Sequence, residues 1–236
     1  MNTTDCPMHI HGPTERYPVA ASNPSPVPFA FDLPAYRAVQ ARLGLKRTVV
    51  VQPAAYGLDN ACTLDAVAAL GEAARAFMRK GGAVPWEGLP ALTANVAPLG
   101  WHVQSQFDGG ELPQRAPLIA ALPCDVVIDH LGRFHDPAAA PIPALLRLLE
   151  TGRGWVKASS PYGVSRIGPP DYADVAAIAR AVIAARPDRV VWGSNWPHPN
   201  APEPKPVEVA LLDLLRQSAP DAAIYLAMLV DNAARL

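Results

Sequence analysis

Cysteine is scarce in this chain. Cys6, Cys62 and Cys124 are odd in number and far apart. They exclude a disulfide framework and fit a reducing, cytoplasmic compartment. An excess of either charge is also missing: 20 basic residues face 21 acidic ones, and no basic stripe is present. Nucleic acid is therefore not an expected partner. No apolar run reaches the roughly 18 residues that a membrane span requires. The N-terminal MNTTDCPMHIHGP lacks the charged and apolar regions of a secretion signal. No glycine-rich GxGxxG or GxxxxGKS/T turn follows an apolar stretch, so the usual nucleotide cradles are missing too.

What is present is a chain of 236 residues, half of them hydrophobic. That is enough for one core, so a single domain over 1–236 is expected. The 27 prolines cluster between elements, notably in the loops 18–34 and 197–206. Between the loops, apolar strand patterns alternate with helical ones. The strand candidates are CPMHIH (6–11), RTVVVQ (47–52), WHVQSQF (101–107), CDVVIDHL (124–131), GWVKAS (154–159) and RVVWGS (189–194). RTVVVQ is a continuous apolar run, as in a strand buried on both faces. Helices are expected over 32–44, with Asp32 as cap and Gly44 as stop, and over TLDAVAALGEAARAFMRK (63–80). Four more are expected: 112–122, 142–152, 171–186 with Asp171 as cap, and 207–217. A last helix over 221–236 closes the chain. This alternation predicts a parallel α/β fold. Polar residues recur where strands end: His9 and His11, Gln52, Gln104 and Gln106, Asp129 and His130, Lys157 and Ser159, Asn195 and His198. Barrel enzymes assemble their sites at such strand ends, so the expected fold is a TIM-like (β/α)8 barrel.

Six strings follow one another across nearly the whole chain: DCPMHIHGP, VVVQPAAYGLDN, VVIDHLGRF, GWVKAS, VVWGSNWPHPN and VDNAARL. Together they resemble the lactone-processing branch of the amidohydrolase superfamily. That branch includes 2-pyrone-4,6-dicarboxylate lactonases, sugar-lactone hydrolases and galactarolactone isomerases. The resemblance implies a distorted (β/α)8 barrel acting on a carboxylated lactone, often without a metal. Three departures stand out. The usual Asp-x-His-x-His of the first strand becomes Asp5-x-Pro7-x-His9, with a literal His9-x-His11 shifted by two positions. Asn195 replaces the Asp that usually ends the last strand, as isomerase-like members favour. Finally, GEAARA runs directly into FMRKGGAV, so about one βα unit of roughly 30 residues is missing. The region between Gln52 and Trp101 is then the irregular part, with ARAFMR (74–79) as the reserve strand. Its seam is expected to expose the Val-rich edge of TVVVQ.

Opening or rearranging a lactone needs a base for the attacking hydroxyl, a donor for the carbonyl oxygen and an acid for the leaving oxygen. His130 is the candidate acid or base, because imidazole titrates near neutrality. Asn195 can offer its amide N–H to the developing oxyanion, with His9 beside it. Arg79, Lys80, Tyr56, Gln106, Lys157, His11 and His198 are the candidate substrate contacts. Lys157 has a second reading as the partner of Asp129, since a Lys within an apolar strand is costly unless paired. No obligatory cofactor is expected. A divalent metal, if held, would use His9, His11 and His130, with Cys6 or Asp129 nearby. The functional reading is an acid–base lactone hydrolase or isomerase with a small carboxylated substrate. The alternatives are a weakly active or inactive shortened relative, and a metal-dependent hydrolase or decarboxylase. Self-association into a homo-oligomer stays open.

Overall fold

The structure, a computed structural model, describes residues 2–21, 31–57, 59–71, 74–77, 86–134, 141–198 and 201–236. Strands and helices alternate along it. β1 (Thr4–Met8), β2 (Arg47–Val51) and β3 (Ala74–Phe77) form one parallel sheet. β4 (Val103–Ser105), β5 (Val126–Ile128), β6 (Gly154–Ala158) and β7 (Val190–Trp192) form a second. Just past β7 the chain bonds to β1: Asn195 N donates to Pro7 O at 3.0 Å, and His9 N donates to Trp196 O at 2.9 Å. Gly193 permits this approach, since a Cβ there would lie 2.2 Å from the Cys6 carbonyl carbon. The series therefore runs β3-β2-β1-β7-β6-β5-β4. It holds seven parallel strands among the described residues, one fewer than a full (β/α)8 barrel.

Nine helices among the described residues accompany these strands. α1 (Leu33–Leu43), α2 (Ala61–Leu70) and α3 (Leu89–Val96) go with the first half. α4 (Leu112–Ala121), α5 (Ile142–Glu150), α6 (Ala173–Ala185), α7 (Glu208–Ser218), α8 (Ala222–Leu229) and α9 (Asp231–Arg235) go with the second. None is long and apolar enough to cross a membrane. The main core fills the layer between the second sheet and its helices, with Leu112, Leu145, Leu149, Val182 and Met228 fully buried. α1 is set by its ends: Asp32 accepts from Ala35 N at 3.0 Å, and Gly44 stops it in the left-handed region at φ 66°. At the other end of the chain Asn232 ties the last helix under β7. Its Nδ2 donates to Pro187 O and Val190 O, both at 2.7 Å.

Several expectations are corrected. The pattern over 63–80 is not one helix. α2 stops at Leu70 because Gly71 turns at φ 69°, and Ala74–Phe77 becomes β3, in register with β2 from Thr48↔Ala74 to Val51↔Phe77. A free strand edge outweighed the helix propensity of an Ala-rich tetrapeptide. For the same reason TVVVQ is no exposed edge: β2 is flanked on both sides and Val49, Val50 and Val51 are buried. β1 ends at Met8, so His9 and His11 lie beyond the strand rather than on one face of it. Asp171 does not cap α6. Tyr172 precedes that helix at φ 43°, and Asp174 accepts from the backbone N–H groups of Arg166 and Val175. The last helix breaks at Val230 into α8 and α9.

Candidate active site

The strand ends of the second sheet build the site. After β5 the chain makes a tight turn in which four successive residues have positive φ: His130 at 53°, Leu131 at 54°, Gly132 at 90° and Arg133 at 47°. For the three that are not glycine this costs roughly 1–2 kcal/mol each. Leu131 and Phe134 offset that cost. Both side chains are buried, and each burial contributes about 1.5–3 kcal/mol. The turn also needs a glycine packed against it, since a Cβ on Gly109 would sit 2.1 Å from Gly132 O. The result aims two side chains into one space. His130 Nδ1 lies 2.7 Å from Ser159 Oγ, at the end of β6. His130 and Arg133 line a cavity of about 540 Å³, counted to its open mouth, with Gln106, Ser160, Tyr162 and Asn195. Strained backbone recurs around it, at Ser160 (φ 49°), Asn195 (57°) and His198 (59°). Such residues persist where surrounding structure holds them, and they cluster at functional sites.

Asn195 is the hub past β7. Its Oδ1 lies 3.3 Å from His9 Nε2, and its Nδ2 donates to Tyr162 OH at 2.9 Å. His9 Nδ1 donates to Val51 O at 3.0 Å. Tyr162 OH lies 3.1 Å from His198 Nδ1 and accepts from Ser160 Oγ at 3.1 Å. His198 Nε2 meets Glu208 Oε1 at 3.4 Å, and Arg42 pairs with the other oxygen of Glu208. Behind Asn195, Ser194 N and Oγ both donate to buried Asp5 at 2.7 Å, and Tyr36 OH adds a third bond at 2.9 Å. Burial nevertheless pushes the Asp5 carboxyl up to about 6, against those bonds and the charge of Lys157.

The sequence-expected residues fall into three groups. His130, Asn195 and Gln106 line the cavity, and His9 and His198 reach it through Asn195 and Tyr162. Lys157, Tyr56 and His11 are directed elsewhere. Lys157 is fully buried in β6 and donates to Gln104 Oε1 at 2.5 Å and Asp129 Oδ1 at 2.9 Å, so its second reading is the one realised. Tyr56 OH accepts from Gly12 N at 3.0 Å within the cluster around Tyr36. His11 is buried beside Tyr56 with neither ring nitrogen bonded among the described residues, and burial followed by the neighbouring His9 lowers it to about 4. Arg79 and Lys80 lie outside the described residues. Ser160, Arg133 and Tyr162 line the cavity and were missed by sequence reasoning. Arg133 makes no side-chain hydrogen bond or ion pair among the described residues, although it faces the cavity. Its signal was in plain view, a lone cation three residues past the candidate base. Tyr162 follows a strand end in SSPYG and looked like loop sequence.

A family model described as Amidohydrolase matches residues 75–236. A 2-pyrone-4,6-dicarboxylate hydrolase from Comamonas testosteroni is 30% identical, over 98% of this chain and 88% of that protein. The chain belongs to the amidohydrolase family. A D-galactarolactone isomerase from Agrobacterium fabrum is 34% identical, over 97% of this chain and 88% of its own length. An apo crystal structure from Agrobacterium tumefaciens superposes with a TM-score of 0.90 at 31% identity, covering 98% of this chain and 94% of that one. The alignment with the Comamonas hydrolase extends over 271 positions, more than the 236 residues present here, so that relative has segments this amidohydrolase lacks.

Amidohydrolases of this fold include metal-bound members: a neighbour from Burkholderia multivorans, 18% identical with a TM-score of 0.67, carries zinc. The donor set here does not fit such an ion. Among the described residues no three His, Cys, Asp or Glu converge. The expected trio of His9, His11 and His130 is not brought together. His9 is spent on Val51 O and Asn195, Asp129 is paired with Lys157, and the amide of Asn195 carries no charge. Burial pushes the Cys6 thiol up to about 11, so it offers no thiolate.

Proposed function

We propose that this amidohydrolase opens or isomerises a carboxylated lactone by acid–base catalysis that does not route through a metal. One observation carries the reading: an imidazole, an amide and a guanidinium with no ion pair among the described residues share a single cavity in His130, Asn195 and Arg133. A lactone carboxylate is the natural partner of Arg133, because the guanidinium fork matches carboxylate geometry. His130 takes the proton of the attacking hydroxyl, with Ser159 holding its other nitrogen. Asn195 has two amide hydrogens. One is spent on Tyr162, and the other is free for the carbonyl oxygen as it gains charge. His9, anchored on Val51 O, meets the oxygen of that amide. The relatives named for a dicarboxylated pyrone and a sugar-acid lactone support the substrate class. If the nucleophile is water the product is the open acid; if it is a hydroxyl of the substrate, the product is a rearranged lactone.

The test is turnover of 2-pyrone-4,6-dicarboxylate and D-galactarolactone, followed by proton release and by NMR of the products. Net acid release indicates hydrolysis, and a rearranged ring without acid release indicates isomerisation. His130→Ala should abolish either while leaving the melting temperature nearly unchanged. Full activity in that variant sinks the assignment. No turnover by well-folded protein on either lactone favours an inactive relative instead.

A further inference from the structure

The bonds around Asn195 form an unbroken wire, His9–Asn195–Tyr162–His198. Its two ends are fixed by groups that only accept. Val51 O takes a proton from His9 Nδ1, and the Glu208 carboxylate takes one from His198 Nε2. The four partners in between must then all point one way. In the arrangement seen, His9 Nε2 donates to Asn195 Oδ1, Asn195 Nδ2 donates to Tyr162, and Tyr162 donates to His198 Nδ1. His9 is then an imidazolium and His198 is neutral. If the amide and the hydroxyl both reverse, His198 is the imidazolium and His9 is neutral. Either way the intact wire holds one proton more than two neutral rings carry. Ser160 Oγ donates to Tyr162 in both states.

We propose that Tyr162 is the acid of this cavity and that His198, held by Glu208, positions and reprotonates it from the single proton stored in the wire. The proposal rests on the lactone reading and deepens it, because that reading leaves the leaving oxygen without a donor. His130 accepts the proton of the attacking hydroxyl as the new C–O bond forms. As the ring C–O bond breaks, with the wire in its reversed arrangement and His198 the imidazolium, Tyr162 gives its proton to the departing oxygen and takes the one on His198 Nδ1. The wire loses one proton and His130 gains one, so charge balances and solvent resets both. The surroundings suit this use. Tyr162 lines the cavity, while His198 and Glu208 are buried behind it. Among the described residues the charged groups facing His198 are Glu208, Arg42 through Glu208, and Lys205, whose Nζ donates to His198 O at 3.1 Å. On the His9 side the neighbouring titratable group is His11, kept neutral at physiological pH by burial. Glu208 is pushed up by burial but held below the usual carboxylate range by its bond to His198.

Ring ¹⁵N spectra of the intact protein at pH 7, assigned with His9→Gln and His198→Gln, test the wire without any substrate. One of the two rings should show the imidazolium pattern and the other a neutral one, and Tyr162→Phe should leave both neutral. Two neutral rings in the wild type would overturn the proposal. On whichever of the two probe lactones turns over, Tyr162→Phe should lower kcat by about 100-fold or more, the lower end of general acid catalysis, with KM within about threefold. Glu208→Gln should lower kcat by about tenfold, since the carboxylate charge no longer faces His198 Nε2. A Tyr162→Phe enzyme with wild-type kcat would also overturn it. If neither lactone is turned over, the lactone reading fails while the ring spectra still judge the wire.

Discussion

Replacing Lys157 with Met takes a cation out of the middle of β6 and leaves its partners behind. Lys157 is fully buried, and Asp129 beside it is 4% exposed. In the wild type the ammonium is bonded by Asp129 at 2.9 Å and Gln104 at 2.5 Å. Met fills much the same volume, so little cavity cost is added. The loss is electrostatic: removing one member of a buried pair costs about 3–5 kcal/mol, because the other charge stays without compensation. For a chain of this size each kcal/mol lowers the melting temperature by about 2–4 °C, so a drop of roughly 6–20 °C is expected. The sign with pH is also fixed. In the variant, the missing ammonium raises the folded pKa of Asp129 relative to wild type. The destabilisation therefore grows as pH rises towards the raised folded pKa and saturates above it; at lower pH the carboxyl is protonated and the deficit shrinks. Urea denaturation of wild type, Lys157→Met and Lys157→Met/Asp129→Asn at pH 7 and pH 5 measures all of this. The double variant should recover most of the loss at pH 7. A deficit below about 1 kcal/mol at pH 7, or one that does not shrink at pH 5, would show that Lys157 is not the buried structural cation described here.

Arg133→Met should raise KM for carboxylated lactones by about 10- to 150-fold, the worth of a lost charge-assisted hydrogen bond, with kcat nearly unchanged; an equal rise on a lactone without a carboxylate would show general damage instead. Asp5 titrates at about 6 in the fold against 3.8 as its ordinary value, so the folded state binds the extra proton and the contribution of this group falls as pH rises from about 4 through 6. Asp5→Asn should remove that slope, and unfolding measured at pH 4.5 and 7 checks it. Dialysis against a strong chelator should leave both turnover and melting temperature unchanged; a loss restored by added zinc would refute the reading of the donor set.

Local chemistry in the chain was enough to place most elements. Asp32 and Gly44 bound α1, and the valines of RTVVVQ mark β2, because a cap or an apolar run acts within a few residues of itself. The strings DHLG and GSNWPHP likewise announced reactive groups at strand ends. Tertiary structure decided the rest. Ala74–Phe77 is a strand because β2 offered it an edge, a partner more than twenty residues away. Lys157 is paired with Asp129 inside the fold because of which face of β6 it occupies, and a strand's inward face is set by its neighbours. Arg133, Tyr162 and Asn195 face one cavity although they lie far apart along the chain. Only the order β1-β7-β6-β5 sets these strand ends side by side, because convergence of side chains is fixed by strand neighbours in space and not by spacing along the sequence.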